Sequence, residues 1–130
     1  MSHDRYQRGL RKQNEINAEG SAGDVDDLKN IAPDLGRYAV EFVFGDVLSR
    51  PGLDLKSREI ASIAALTALG NARPQLKFHI EGGLNVGCSR VEITEVIIQM
   101  AAYAGFPASL NGMSAAKEVF EGLDAIKSRD

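Results

Sequence analysis

The apolar spacing of this chain predicts an all-α protein of about six helices. Three observations carry that expectation. Apolar residues recur every three or four positions through most of the sequence, glycine- and proline-containing turns interrupt the pattern between segments, and no stretch alternates apolar with polar residues as a half-buried strand does. The 130 residues, 44% hydrophobic and 25% charged, are enough for one domain that buries a core without disulfide or metal staples.

Residues 5 to 17 are polar and mostly helix-forming, and EGSAGD at 19 to 24 breaks that pattern, so residues 1–24 read as an N-terminal arm and linker of a single domain spanning 1–130. Asp34 can cap a helix whose apolar face carries Tyr38, Ala39, Phe42 and Val43 and which ends before Pro51-Gly52. Asp54 is the next candidate cap. Ile60, Ile63, Ala64 and Thr67 then give one buried face, with Gly70 as the stop.

From Pro74 the spacing of Leu76, Ile80, Gly83 and Leu84 predicts a helix ending near Gly87. Gly82-Gly83 inside it costs about 1 kcal/mol per glycine relative to alanine, which implies either a bend or another backbone packed closely against the helix. Ser89-Arg90-Val91-Glu92 has the form of a capping box. The helix it opens carries Ile93, Val96, Ile97, Met100, Ala101 and Ala104 as far as Gly105 and Pro107. The last helix carries Leu110, Met113, Ala116, Phe120 and Leu123. Val91, Ile98, Ala102 and Tyr103 add apolar surface beyond the face a small domain needs, which is explained either by a subunit interface or by a bundle that buries them itself.

Composition removes several classes of function. A net charge of −3 gives no clustered excess of lysine and arginine for nucleic-acid phosphates. The first twenty residues lack the apolar core of a secretory signal, and no apolar run approaches the roughly 18 residues of a membrane span, so a soluble cytoplasmic protein is expected. Cys88 is the single cysteine, which excludes an intrachain disulfide, a Cys-x-x-Cys pair and a cysteine-rich metal site. No phosphate loop, dinucleotide fingerprint or metal-ligand cluster is present, and neither metal nor cofactor is expected.

The remaining candidates for chemistry are few. On a helix His79 shares a face with Gln75, Leu76, Gly83 and Val86, so an imidazole lies among apolar and small residues beside one amide. With an unperturbed pKa of about 6.5 it can move a proton near neutrality, or it can be a core histidine satisfied by a carbonyl. Glu59 lies near a helix start, where it can serve chemistry or complement the helix dipole. Arg50 and Arg58 flank the Pro-Gly turn, and a guanidinium there can grip a carboxylate with two parallel hydrogen bonds or form a structural ion pair. Glu41 falls mid-helix in line with Gly45 and Leu48, where a buried pair with an arginine is expected.

Four blocks occur in one order: RPGLDLKSRE at 50–59, LTALG at 66–70, KFHIEGGLNVG at 77–87 and SRVEITEVIIQMAAYAGFP at 89–107. In these blocks, within about residues 35 to 120, the chain resembles the carboxymuconolactone decarboxylase family, relatives of the alkylhydroperoxidase D-like proteins. The resemblance implies an alkylhydroperoxidase D-like helical bundle. It also implies homo-oligomers, commonly hexamers built as trimers of dimers, with sites at or near subunit contacts.

In the alkylhydroperoxidase relatives a glutamate one helix upstream of a Cys-x-x-Cys-x-x-x-His element joins it in a proton relay, and Glu59 and His79 look like the ends of that relay. The two cysteine positions hold Ala72 and Gln75, so thiol chemistry does not carry over. Many decarboxylases of the family have a glutamate four residues before the histidine, where this chain has Gln75.

The implied substrate is a small carboxylate, 4-carboxymuconolactone or a similar unsaturated lactone acid of aromatic-compound catabolism. The implied reaction is decarboxylation without cofactor. By the resemblance His79 protonates carbon or donates to the enolate, Glu59 orients it, Arg58 or Arg50 holds the substrate carboxylate, and Gln75 adds a neutral hydrogen bond, with Glu41 nearby. Two other readings remain: a thiol peroxidase, opposed by the single cysteine, and a non-catalytic oligomer that binds a small acid.

Overall fold

Every regular element of the computed structural model, which describes residues 2–18 and 28–129, is a helix. The segment EGSAGD at 19–24 lies outside the described residues. Six rods form the bundle among the described residues. They are α1 (Ser2–Asn17); α2 (Pro33–Ala39), which continues as a π-helical segment (Val40–Val47); α3 (Leu55–Leu69); α4 (Arg73–Asn85); α5 (Arg90–Gln99), followed by the short α6 (Ala101–Ala104); and α7 (Phe106–Lys127).

The local signals act largely as expected. Asp54 accepts a 2.8 Å bond from the Ser57 amide at the start of α3, and Gly70 closes that helix in the left-handed conformation at φ 79°. Ser89 Oγ accepts from the Glu92 amide at 3.0 Å while Glu92 Oε1 accepts from the Ser89 amide at 2.8 Å, completing the capping box.

Three expectations are corrected. The N-cap of α2 is Ala32, because Pro33 takes the first helical position, and Asp34 instead pairs with Arg37 across one turn at 3.3 Å. The stripe on residues 91 to 104 is not one helix: the chain breaks at Met100 between α5 and α6. The face of Tyr38, Phe42 and Val43 points outward, and Glu41, Phe44, Gly45 and Leu48 are buried in its place.

Packing against α1 explains that last reversal. Two apolar stripes overlap in residues 38–48, and α1 selects one of them through a pair of glycines. A Cβ on Gly45 would come within 2.6 Å of the Arg5 carbonyl oxygen, and one on Gly9 would collide with the Val40 carbonyl oxygen. The two backbones therefore touch. Arg5 grips Asp46 with bonds of 2.6 and 3.1 Å, which holds that carboxyl below the usual carboxylate range, and Arg8 Nε donates to the Gly45 carbonyl at 2.7 Å. Along this contact the winding widens to π, with the Leu48 amide donating to the Val43 carbonyl five residues back at 2.8 Å.

Two apolar clusters meet at α4. Ile63, Leu76, Ile80, Cys88, Ile93, Ile97, Ala115 and Ala116 join α3, α4, α5 and α7, while Ile16, Phe44, Leu48 and Phe78 join α1 and the π segment to α4. Each fully buried isoleucine contributes about 1.5–3 kcal/mol by leaving water. Leu110 faces outward, since α7 turns Ser109, Gly112, Ala115 and Ala116 inward. Replacing Ser89 by alanine should remove half of the capping box and lower unfolding stability by about 1 kcal/mol. At fixed protein concentration, calorimetry should record a drop in Tm of roughly 4 °C.

Candidate active site

His79 and Glu59, twenty residues apart in sequence, meet where α4 crosses α3. His79 Nδ1 lies 2.7 Å from Glu59 Oε1; the glutamate is fully buried and the histidine side chain is 11% exposed. The dipole-complementing alternative for Glu59 is thereby set aside, because the side chain points into the core rather than along the helix end. With the carboxylate in its ordinary acceptor role, Nδ1–H donates and Nε2 is the nitrogen left to exchange a proton with a ligand. Glu59 Oε2 has no hydrogen-bond partner among the described residues, so His79 is the one compensating group for a buried acid.

Aromatic rings hold the imidazole in place. Phe44, from the π segment, lies parallel to it with centroids 6.3 Å apart and planes 8° apart, while Phe78 meets it edge-on at 5.0 Å and 80°. The two phenyl rings also contact each other edge-on at 5.9 Å. Sequence reasoning missed both. Phe78 was visible as the residue before His79, but Phe44 required knowing which face of its helix turns inward.

The double glycine of α4 lies in a helix assigned continuously from Arg73 to Asn85, and side chains, not the expected neighbouring backbone, lie closest to both glycines. A Cβ on Gly82 would come within 2.5 Å of Ile16 Cγ2 and 3.0 Å of Glu59 Oε1, so the dyad and the end of α1 share the space that a side chain would fill. Gly83 similarly faces Ile63 and Cys88.

The other candidates divide into three groups. Arg58 folds back on the turn and donates from Nη2 to the Arg50 carbonyl at 3.0 Å; among the described residues its buried Nε has no hydrogen-bond partner. Among the described residues neither arginine bonds to the dyad or to an acidic side chain. Gln75 is half-buried one turn before His79 on α4 and has an interaction of its own. Glu41 is buried one turn before Phe44 and forms no salt bridge with an arginine among the described residues, although its charge acts on Arg5. Arg5 and Arg8 of the facing helix bond to Asp46 instead, and Glu41 Oε2 has no hydrogen-bond partner among the described residues.

Cys88 belongs to the core, not to this site. It is 5% exposed, contacts the Lys56 carbonyl at 3.8 Å, and burial pushes its thiol above the ordinary range. A reactive thiol requires the opposite shift.

Residues 33–118 match the family model described as the carboxymuconolactone decarboxylase family. The chain belongs to that family. It is 35% identical over 120 residues to 4-carboxymuconolactone decarboxylase of Acinetobacter baylyi, a match covering 92% of this chain and 89% of the relative. It is 33% identical over 98 residues, 75% of this chain and 73% of the relative, to an uncharacterized 15.0 kDa protein from the nqo9-nqo10 intergenic region of Paracoccus denitrificans. A shorter match, 33% over 73 residues, covers 56% of this chain and 50% of nitrosuccinic acid decarboxylase of Metarhizium robertsii. Two of these three relatives are thus named as decarboxylases, acting on different acids.

The role of the α4 glycine is open to a direct check. In an unconstrained helix alanine stabilises by ~1 kcal/mol over glycine. At residue 82 the sign should reverse: Gly82→Ala should lower the midpoint of chemical denaturation relative to wild type, because its methyl group displaces Ile16 or Glu59.

Proposed function

We propose that this protein is a cofactor-independent carboxy-lyase acting on 4-carboxymuconolactone or a similar small unsaturated lactone acid. The observation that carries this reading is the buried Glu59–His79 pair at 2.7 Å, in a chain of the decarboxylase family whose thiol is unsuited to redox work. In such a lactone the bond to the ring carboxylate breaks, CO2 leaves, and the electron pair spreads through the ring onto the lactone oxygen. The substrate is its own electron sink, so the protein need only hold the anion, stabilise the enolate and return a proton to carbon.

His79 delivers that proton from Nε2, with Glu59 accepting from Nδ1 and stabilising the imidazolium. Arg58 grips the second carboxylate of the substrate; its Nε, without a hydrogen-bond partner among the described residues, supports the assignment. Arg50 lies across the same turn, and Gln75 supplies a neutral donor where many relatives carry an acid. Glu41, buried on the same π segment as Phe44, is assigned to the substrate-binding residues by family resemblance.

The working form is a homo-oligomer, a hexamer by family resemblance. Support comes from outward apolar residues on two faces: Leu35, Tyr38 and Phe42 at intervals of three and four, and Tyr103, Phe106 and Leu110 around the α6–α7 turn, all more than half exposed in the single chain. Light scattering at micromolar concentration should return a multiple of 14.0 kDa; a stable monomer there would remove this part of the reading.

Turnover should be followed as loss of the lactone's ultraviolet absorbance. Losing a positioned general acid costs ~10²–10⁴-fold in rate, so His79→Ala should fall in that range, as should His79→Gln, which keeps an amide to partner Glu59. Arg58→Gln should chiefly raise KM, because a carboxylate clamp acts on the ground state as well as the transition state. An inactive wild type beside an active Gln75→Glu form would show that this chain has lost the family reaction and kept the pocket.

A further inference from the structure

The last turn of α1 lies outside the residues that match the family model, yet it packs on α4 at Gly82, the position that Glu59 Oε1 also approaches. Ile16 is fully buried, and its Cγ2 occupies the space above Gly82 beside Glu59 Oε1. Asn17, only 2% exposed, donates from Nδ2 to the Phe78 carbonyl at 3.2 Å and to Glu81 Oε2 at 3.3 Å. In return Asn85 Nδ2 donates to the Ile16 carbonyl at 2.9 Å. These contacts fall at residues 78, 81, 82 and 85 of α4, on both sides of His79 in sequence.

We propose that Ile16 and Asn17 are positioning residues of the Glu59–His79 pair: Ile16 keeps water from the carboxylate, and Asn17 fixes the rotation of α4 that aims His79 at it. The proposal rests on the proton-transfer role given to His79 above. Its physical basis is twofold. A fully buried carboxylate with one ring N–H as its partner holds that partner tightly because no water competes for the same oxygen. Ile16 is a wall that excludes such water, and Gly82 admits it there.

Asn17 then acts on direction. A mid-helix carbonyl such as that of Phe78 ordinarily serves only the amide one turn on, so an added side-chain donor from another helix ties that point of α4 to α1. Phe78 precedes His79, and a tether at that residue limits how α4 can roll against α3. The tether also explains why a polar asparagine is retained at 2% exposure at the end of an otherwise solvated helix.

The test reads the hydrogen bond itself. Proton NMR on the intact protein should show a downfield Hδ1 resonance from His79, assigned by its absence in His79→Gln, and kinetics should be measured on the same samples. In Ile16→Ala and Asn17→Ala the resonance should broaden into exchange with water. Their kcat should fall roughly tenfold to a hundredfold while KM stays within about twofold, since small misplacements of a catalytic group act on the chemical step. Ile16→Val, which keeps a branched wall, should retain the resonance. Ile93→Val, a change of the same chemistry in the other apolar cluster, serves as the stability control and should also retain it.

Should Ile16→Ala fail to fold, Asn17→Ala and Ile16→Val carry the comparison. A resonance and kcat in Ile16→Ala and Asn17→Ala equal to wild type would overturn the proposal. Equal loss in the Ile93→Val control, or no downfield resonance in wild type, would do the same. A wild type without turnover leaves the resonance readable, so failure of the reaction reading is distinguishable from failure of the positioning role.

Discussion

A buried carboxylate dictates much of this structure. Glu59 has no solvent exposure, and an acid in that position is tolerated only when a partner compensates it. His79 at 2.7 Å is that partner, and Phe44, Phe78 and Ile16 close the surroundings. The packing of α3, α4, α1 and the π segment can be read outward from this pair. α3 brings Glu59 to it, α4 His79 and Phe78, α1 Ile16 and the π segment Phe44.

Several of the approaches pass over glycines set where two elements touch. Gly82 admits Ile16 and Glu59 to the surface of α4, and the reciprocal Gly9 and Gly45 bring α1 against the π segment until backbone meets backbone. The π winding accompanies that contact and turns Glu41 and Phe44 toward the interior. A glycine in a helix costs conformational entropy, and here the cost is offset by burial of Ile16 and Phe44 together with the Arg5–Asp46 grip. Stability and site geometry thus depend on the same close approaches.

The same arrangement brings no thiol into hydrogen-bond contact with the dyad among the described residues. Ala72 and Gln75 stand at the two cysteine positions, and the one cysteine that remains is buried in the α3–α4–α5–α7 cluster with its thiol pushed up. What is left of the relay is its acid and its imidazole. The dyad is an acid paired with an imidazole, in a chain of a decarboxylase family.

Local chemistry made a large part of the protein legible in advance. The capping box at Ser89, the Asp54 cap, the Gly70 stop and the three-and-four spacing of Ile63, Ile80, Ile93 and Ile97 are properties of short segments, and they determined an all-α bundle. The family blocks pointed to Glu59 and His79 for the same reason, since each lies within a continuous motif. Tertiary contact decided the rest. Which stripe of residues 38–48 faces inward, whether Glu41 finds an arginine, and why α4 carries a glycine at 82 all depend on α1, while Gly83 answers to Ile63 and Cys88. Helix α1 is polar along most of its length; it acts on the π segment through Gly9, Arg5 and Arg8 and on α4 through two buried residues at its end, Ile16 and Asn17. Periodicity reports that a helix has an apolar face; only the partner that approaches it determines which face is used.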